Sequence, residues 1–406
     1  MSAMVTFSQK PASNVLTRLA QCLAACSAQM ACVDISYIPG QNGRCYLKTA
    51  QGTVYNNPGV WGARLMTNET IFPNATSDYA TWALEVFGAG TSGCGSALPA
   101  GVVAGQSTST YTTMVTKDGL TRQYILYIPA NYSPTKPSPL IIGYHGQGDQ
   151  GTTFQASSGW SANAGNPNYI VAYPTGINPP VTNTGNSWQG APYSAPGVDD
   201  ISFTKQLLNN LTATYCVDPT RVYAAGHSNG GGFVGTMACD PVASRMFAAF
   251  AANSGAFYPA NLGFTSCTPW TVVQPNCTPG RTRLPFLEIH GDADTRIPYL
   301  GGAHNNECLA TVPQYVSQVV VREGFAANGT NSTIFALAAT TNVTGAVQYQ
   351  WGTSGIGPGG NPGGTFGEVT HFLVPTGQHA WQTNVNGFYT SNAMMSFFAN
   401  WTLYTG

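Results

Sequence analysis

From about residue 120 onward, apolar positions come in short unbroken runs instead of alternating with polar ones. Gln123–Ile128, Leu140–Tyr144, Tyr169–Tyr173, Arg221–Ala225, Phe247–Ser254 and Leu284–His290 are such runs. Runs this short and this apolar predict strands buried on both faces. Thr333–Ala338, Val347–Trp351 and Val369–Val374 extend the series. Between them lie stretches with helical spacing: Asp199–Tyr215, Gly231–Cys239, Pro313–Phe325 and a closing Ser391–Leu403. Buried strands alternating with helices predict a parallel sheet covered on both sides, a doubly wound α/β fold. One long interval, Thr175–Val198, breaks the rhythm with Gly, Pro and Asn, and it carries Trp188.

The start of the chain follows another pattern. Asn14–Ala25 places Val15, Leu16, Leu19, Cys22, Leu23 and Cys26 on one side of a helix, and short strands are predicted around Cys32–Tyr37, Cys45–Lys48 and Val60–Leu65. Residues 1–66 are too few to hold a core unaided, so Cys22, Cys26, Cys32 and Cys45 are expected to staple a small α+β module. Four cysteines allow three pairings, and spacing does not choose among them. Residues 67–91 read as a linker with Pro73, although Tyr79–Phe87 is apolar enough to pack on a neighbour. Residues 92–406 then form the second, larger domain, opened by Cys94.

Composition narrows the function classes. Charged residues make up 8% of the chain and the net charge is −1, which removes the electrostatic basis for a nucleic-acid or anionic-membrane partner. No apolar run approaches the roughly 20 residues that span a bilayer. Ten cysteines point to an oxidising compartment, and nine N-x-S/T sequons agree: Asn68, Asn74, Asn131, Asn210, Asn276, Asn328, Asn331, Asn342 and Asn400. The expectation is a secreted, extracellular glycoprotein. MSAMVTFSQK lacks an apolar core and a cleavage site, and reads as a mature form behind an added Met. The six cysteines of the larger domain make three bridges plausible, with fifteen pairings open.

Chemistry enters at Gly226-His227-Ser228-Asn229-Gly230. In a chain with 47 glycines this G-x-S-x-G pattern gains meaning only from its setting, a buried strand before and a tightly spaced helix after. There a sharp turn lifts the Ser228 hydroxyl above the sheet and aims a helix N-terminus at it. Flanking glycines are expected because a side chain would collide with the adjoining strand and helix. A serine hydroxyl needs a base, and the base an orienting acid. In sheets of this α/β-hydrolase type the acid and then the histidine follow the nucleophile in the chain. Asp240 closes the elbow helix in a turn, Glu288 lies inside a strand, Glu323 sits beside Arg322, and Glu307 and Glu368 lie in loops or at strand edges. That leaves Asp292 and Asp294, in the loop after a strand, where open α/β sheets place catalysts. Among the later histidines His371 is mid-strand and His304 sits in an undirected polar loop, so His379, after HFLVPTG, is the expected base. The Asn229 amide and a loop amide at Gln147, with Gly146 next, are the expected oxyanion donors, and His145 is read as structural. Trp188 is the candidate wall of a substrate slot. H-E-x-x-H, C-x-x-C, Walker and dinucleotide patterns are absent, so no metal or cofactor is implied.

Two resemblances sharpen this reading. CGSALPAG, LIIGYHG, SWQGAPYSAPGVDDISF, YCVDPTRVYAAGHSNGGGFVGTMACDP, LEIHGDADTRIPYLGG and GQHAW resemble fungal feruloyl esterases of type C, in carbohydrate esterase family one, with kinship to secreted polyhydroxybutyrate depolymerases. The resemblance implies Ser228 as nucleophile, His379 as base and Asp294, rather than Asp292, as acid. It also implies a feruloylated plant cell-wall polysaccharide as substrate, with acetyl-xylan or polyhydroxyalkanoate as rival esters. The family's G-H-x-W-P motif reads Gly377-Gln378-His379-Ala380-Trp381-Gln382 here, so its proline is missing. CLAACSAQMACVDISY and GRCYLKTA resemble a PAN/apple module. That resemblance implies pairing Cys22 with Cys45 and Cys26 with Cys32, and a carbohydrate or protein ligand. A chain in which only that module works, the larger domain being a binding or structural body, is the remaining alternative.

Overall fold

The computed structural model describes strands at residues 3–5, 34–38, 44–48 and 61–64, and then residues 93–403 apart from 163–164, 181–182, 276, 326–340, 344 and 353–365. Contacts divide the chain into two units, Met1–Gly90 and Thr91–Gly406. The first contains an antiparallel sheet of β1 (Ala3–Val5), β2 (Asp34–Ile38), β3 (Arg44–Lys48) and β4 (Trp61–Arg64), ordered β1-β3-β2-β4. Three of these match the predicted strands. The helix predicted at Asn14–Ala25, the linker at 67–91, the strand at Thr333–Ala338 and both N-terminal cysteine pairings fall outside the described residues.

The second unit is built on an 11-stranded sheet. Its members in chain order are β5 (Gln106–Ser107), β6 (Thr112–Val115), β7 (Thr121–Ile128), β8 (Ser138–Tyr144), β9 (Ile170–Thr175), β10 (Val217–His227), β11 (Ala249–Asn253) and β12 (Phe286–Gly291). A separate hairpin, β13 (Gly302–His304) with β14 (Glu307–Leu309), precedes the last three, β15 (Thr341–Val343), β16 (Ala346–Trp351) and β17 (Val369–Val374). The predicted parallel sheet forms the core of a mixed one. β9-β8-β10-β11-β12-β17 run parallel, whereas β7 pairs antiparallel with β9 and β16 antiparallel with β17. The antiparallel strands flank the parallel core; β6 is exposed at three of its four positions, and β16 mixes buried with partly covered ones. β8, β9, β11 and β12 are buried at every position, as their unbroken apolar runs require.

Chain direction across the sheet reverses after β8, because β9 lies on one side of it and β10 on the other. A crevice between the C-terminal ends of β8 and β10 follows, the place where open α/β sheets bind ligands. Helices at Asp200–Thr214, Asn229–Cys239, Val312–Arg322 and Thr390–Phe398 match the predicted four. The last is shorter than expected because the chain turns out of the helix at Ala399 and the Leu403 amide docks on the Thr220 carbonyl. Disulfides join Cys94 to Cys216, Cys239 to Cys277 and Cys267 to Cys308, resolving the choice that spacing left open. Among the described residues no helix is long and apolar enough to cross a membrane. The sequon asparagines Asn131 and Asn210 are exposed.

Candidate active site

Strand β10 ends at His227 and a helix begins at Asn229, leaving Ser228 alone in the turn with φ 55° and ψ −118°. A left-handed φ is costly for a residue with a Cβ and persists only where neighbours enforce it. Here they do: the Ser228 N–H donates to Asn253 O at 3.0 Å, and the Ser228 carbonyl accepts from Gly232 N at 2.9 Å and Ala256 N at 3.0 Å. The flanking glycines are dictated by space. A Cβ on Gly226 would stand 2.3 Å from the Gly230 carbonyl carbon, and one on Gly230 would stand 2.2 Å from Tyr144 O of β8. Strand and helix cross too closely for anything larger.

Three loops from three strand ends meet at the Ser228 hydroxyl. His379, in the loop after β17, places Nε2 2.9 Å from Ser228 Oγ. Its Nδ1 lies 2.7 Å from Oδ2 of Asp294, in the loop after β12. Asp294 is fixed independently, because its Oδ1 accepts from the amides of Arg296 and Ile297, both at 2.9 Å. Asp292, by contrast, points the other way. Its Oδ1 accepts from Thr376 N at 2.7 Å and so ties the β12 loop to the β17 loop. Asp240 does serve its turn, accepting from Val242 and Ala243 amides. The missing proline after Trp381 is compensated by Gln382, whose side-chain amide donates to the Gln378 and Ala380 carbonyls and braces the His379 turn from both ends.

The loop after β8 lies over Ser228. A Cβ built on Gly146 would be 3.4 Å from Ser228 Cβ, so this loop passes within van der Waals reach of the Ser228 side chain. Gln147 follows, its side chain donating to Thr184 O at 3.2 Å. Asn229 is the first helical residue, where the backbone N–H has no intrahelical acceptor. His145 is structural: it is buried, Nε2 accepts from Gly176 N at 2.9 Å, and Nδ1 therefore carries the proton facing Gly146 O. Burial pushes its imidazole down to about 4, so it stays neutral.

Trp188 does not line a slot, which corrects the sequence reading. It is fully buried, stacked on Phe203 and Phe233 and edge-on to Tyr144. Its Nε1–H donates to His145 O at 3.0 Å, while its backbone N–H donates to Asn229 Oδ1 at 2.8 Å. Buried Arg122 lies over the Phe203 ring and pairs with Asp200, whose Oδ2 accepts from Gln189 N. Trp188 thus fastens both expected oxyanion loops from beneath. Trp188→Phe leaves the buried His145 carbonyl unpaired and is expected to cost about 1–3 kcal/mol of stability in urea unfolding. A raised KM with unchanged stability would restore the slot reading.

Sequence reasoning passed over what lies behind Asp294. Glu288, set aside as a strand residue, is fully buried with His290 Nδ1 at 2.8 Å from its Oε1 and His371 Nδ1 at 2.7 Å from its Oε2. His371 stands opposite it across the β12–β17 ladder and also meets the Tyr299 hydroxyl. His290 Nε2 lies 2.8 Å from the Ile297 carbonyl and 3.3 Å from Asp294 Oδ2. A carbonyl only accepts, so Nε2 carries a proton; with Nδ1 facing a carboxylate, the ring is an imidazolium. Burial alone would push His290 down, but Glu288 and Asp294 outweigh it and hold it at about 10. Burial likewise opposes ionisation of Asp294, yet hydrogen bonds from His290 and His379 hold its carboxyl far below the carboxylate range. The available signal was a glutamate in an otherwise apolar strand, which must have a buried counter-charge.

No family model matches the chain. Over 184 residues, 45% of this chain, it is 29% identical to feruloyl esterase B of Piromyces equi, covering 31% of that protein. Over 203 residues, 47% of this chain, it is 30% identical to feruloyl esterase C of Emericella nidulans, covering 64% of that protein. The chain therefore spans less than two thirds of the length of these curated relatives. Among solved structures, an acetyl xylan esterase from Aspergillus awamori aligns with 72% of this chain and 99% of its own, at a TM-score of 0.47 and 14% identity.

Proposed function

We propose that the chain is a serine carboxylic-ester hydrolase, acting outside the cell on esters of plant cell-wall polysaccharide, with ferulate as the acyl group. The observation that carries this reading is the unbroken line from Ser228 Oγ through His379 to Asp294, with both contacts under 3 Å. The names of the curated relatives support the acyl group. His379 takes the Ser228 proton as the hydroxyl attacks the ester carbonyl, and the amides of Asn229 and Gln147 receive the oxyanion. His379 then returns the proton to the leaving alcohol, and a water activated by the same nitrogen cleaves the acyl-enzyme. Asp294 keeps the His379 proton on Nδ1 and stabilises the charged ring. The N-terminal unit is assigned the role of a PAN/apple-like module binding carbohydrate or protein.

An acyl ring has aromatic surroundings available. A cavity of about 310 Å³ beside the nucleophile helix is lined by Gly190, Asn229, Phe233, Thr236, Phe257 and Tyr258. Tyr193 stands edge-on to Tyr258 at 5.7 Å. The test is side-by-side turnover of methyl ferulate, feruloylated arabinoxylan, acetylated xylan and polyhydroxybutyrate, with phosphonate labelling of Ser228. Ferulate release is expected to dominate, and deleting residues 1–66 is expected to lower only the action on insoluble wall. Acetate as the sole product would reassign the acyl group; an unlabelled serine would end the enzyme reading.

A further inference from the structure

His227, the residue before the nucleophile, has no part in the mechanism above, yet its ring stands in the site. Its centroid is 5.1 Å from that of His379, and its Cδ2 would be 3.5 Å from a Cβ on Gly146. The protonation of this ring can be traced bond by bond. Asn253, fully buried at the end of β11, has one side-chain atom 2.9 Å from the Ala380 carbonyl. A carbonyl only accepts, so that atom is Nδ2, and Oδ1 is the atom that accepts from Thr390 Oγ1 at 3.0 Å. The same Nδ2 lies 2.9 Å from His227 Nδ1, which must then be the bare, accepting nitrogen. The ring proton sits on Nε2, next to Cδ2 on the edge facing Gly146. No protein acceptor pairs with that Nε2–H among the described residues, and the ring is half-buried.

We infer that His227 Nε2–H is a substrate-binding donor for the leaving alcohol, recognising a polyhydroxylated, sugar-like one. It lies between the oxyanion loop and the imidazole that hands a proton to the departing oxygen, so hydroxyls flanking the ester oxygen come within its reach. Burial, followed by repulsion from His379, pushes His227 down to about 3, so the donor is neutral and does not compete with His379 for the proton. Asn253 serves as a positioning residue, because the same amide holds both the His227 ring and the backbone beside His379.

This inference rests on the serine-esterase reading, and the test separates the two. Methyl ferulate turnover by the parent protein tests that reading first. The inference is read from the ratio of kcat/KM for a 5-O-feruloyl arabinose ester to that for methyl ferulate. His227→Phe, which cannot donate, is expected to lower the ratio about five- to tenfold, the worth of one hydrogen bond. His227→Gln, which restores an N–H at the same reach, is expected to return it to within about twofold. An unmoved ratio in His227→Phe, or an equal fall in both variants, would overturn the assignment. If the parent ignores ferulates, the same ratio is taken with acetylated arabinose against methyl acetate. His227→Leu replaces the Phe variant should the latter misfold.

Discussion

Replacing Ser228 by alanine is expected to lower ester turnover by about a millionfold, the loss seen when a triad nucleophile is removed. The folded structure should survive, because Ser228 holds its neighbours through backbone atoms that alanine retains. Glycine at the same position removes the Cβ penalty of φ 55°, so Ser228→Gly is expected to unfold at higher urea than Ser228→Ala, by roughly 1 kcal/mol or more. The pair separates chemistry from strain. Turnover within tenfold of the parent in either variant would refute the nucleophile, and equal stability of the two would refute stored strain.

The second large effect concerns the charges behind Asp294. Glu288→Gln leaves the His290 imidazolium without its main counter-charge and is expected to cost about 3–5 kcal/mol near neutral pH. The pH profile should change with it. His290 is raised from 6.5 to about 10 on folding, so its contribution is complete below about 6.5 and is lost as pH rises toward 10. Glu288 and Asp294 are lowered, so their contributions are present above the ordinary carboxylate range and are lost in acid. The parent should therefore lose stability between about pH 7 and 10, and Glu288→Gln should lose less over the same interval. Urea unfolding at pH 6, 8 and 9.5 measures both slopes. Parallel slopes would mean that His290 carries no proton tied to Glu288.

How much of this was legible follows from what each residue requires. Ser228, Asp294 and His379 could be placed because each follows an apolar strand, and strand ends share one edge of a parallel sheet. Choosing Asp294 over Asp292 needed the family resemblance; side-chain direction in a tight loop leaves no trace in composition. Trp188 misled because an aromatic in a long polar loop reads the same whether it faces solvent or core. Its partners, Tyr144, Phe203 and Phe233, come from three distant elements that only the fold brings together. Glu288 was hidden for a related reason, since its partner His371 is a neighbour across a ladder 83 residues away in sequence. The antiparallel flanking strands escaped because a buried run does not declare its direction.

The clamp on the Ser228 peptide has a kinetic corollary. With both neighbouring backbone groups already engaged by β11 and by the helix, the attacking oxygen is cocked before any ester arrives. Within the esterase reaction proposed above, the Ser228 backbone therefore has no bond to remake between docking and attack.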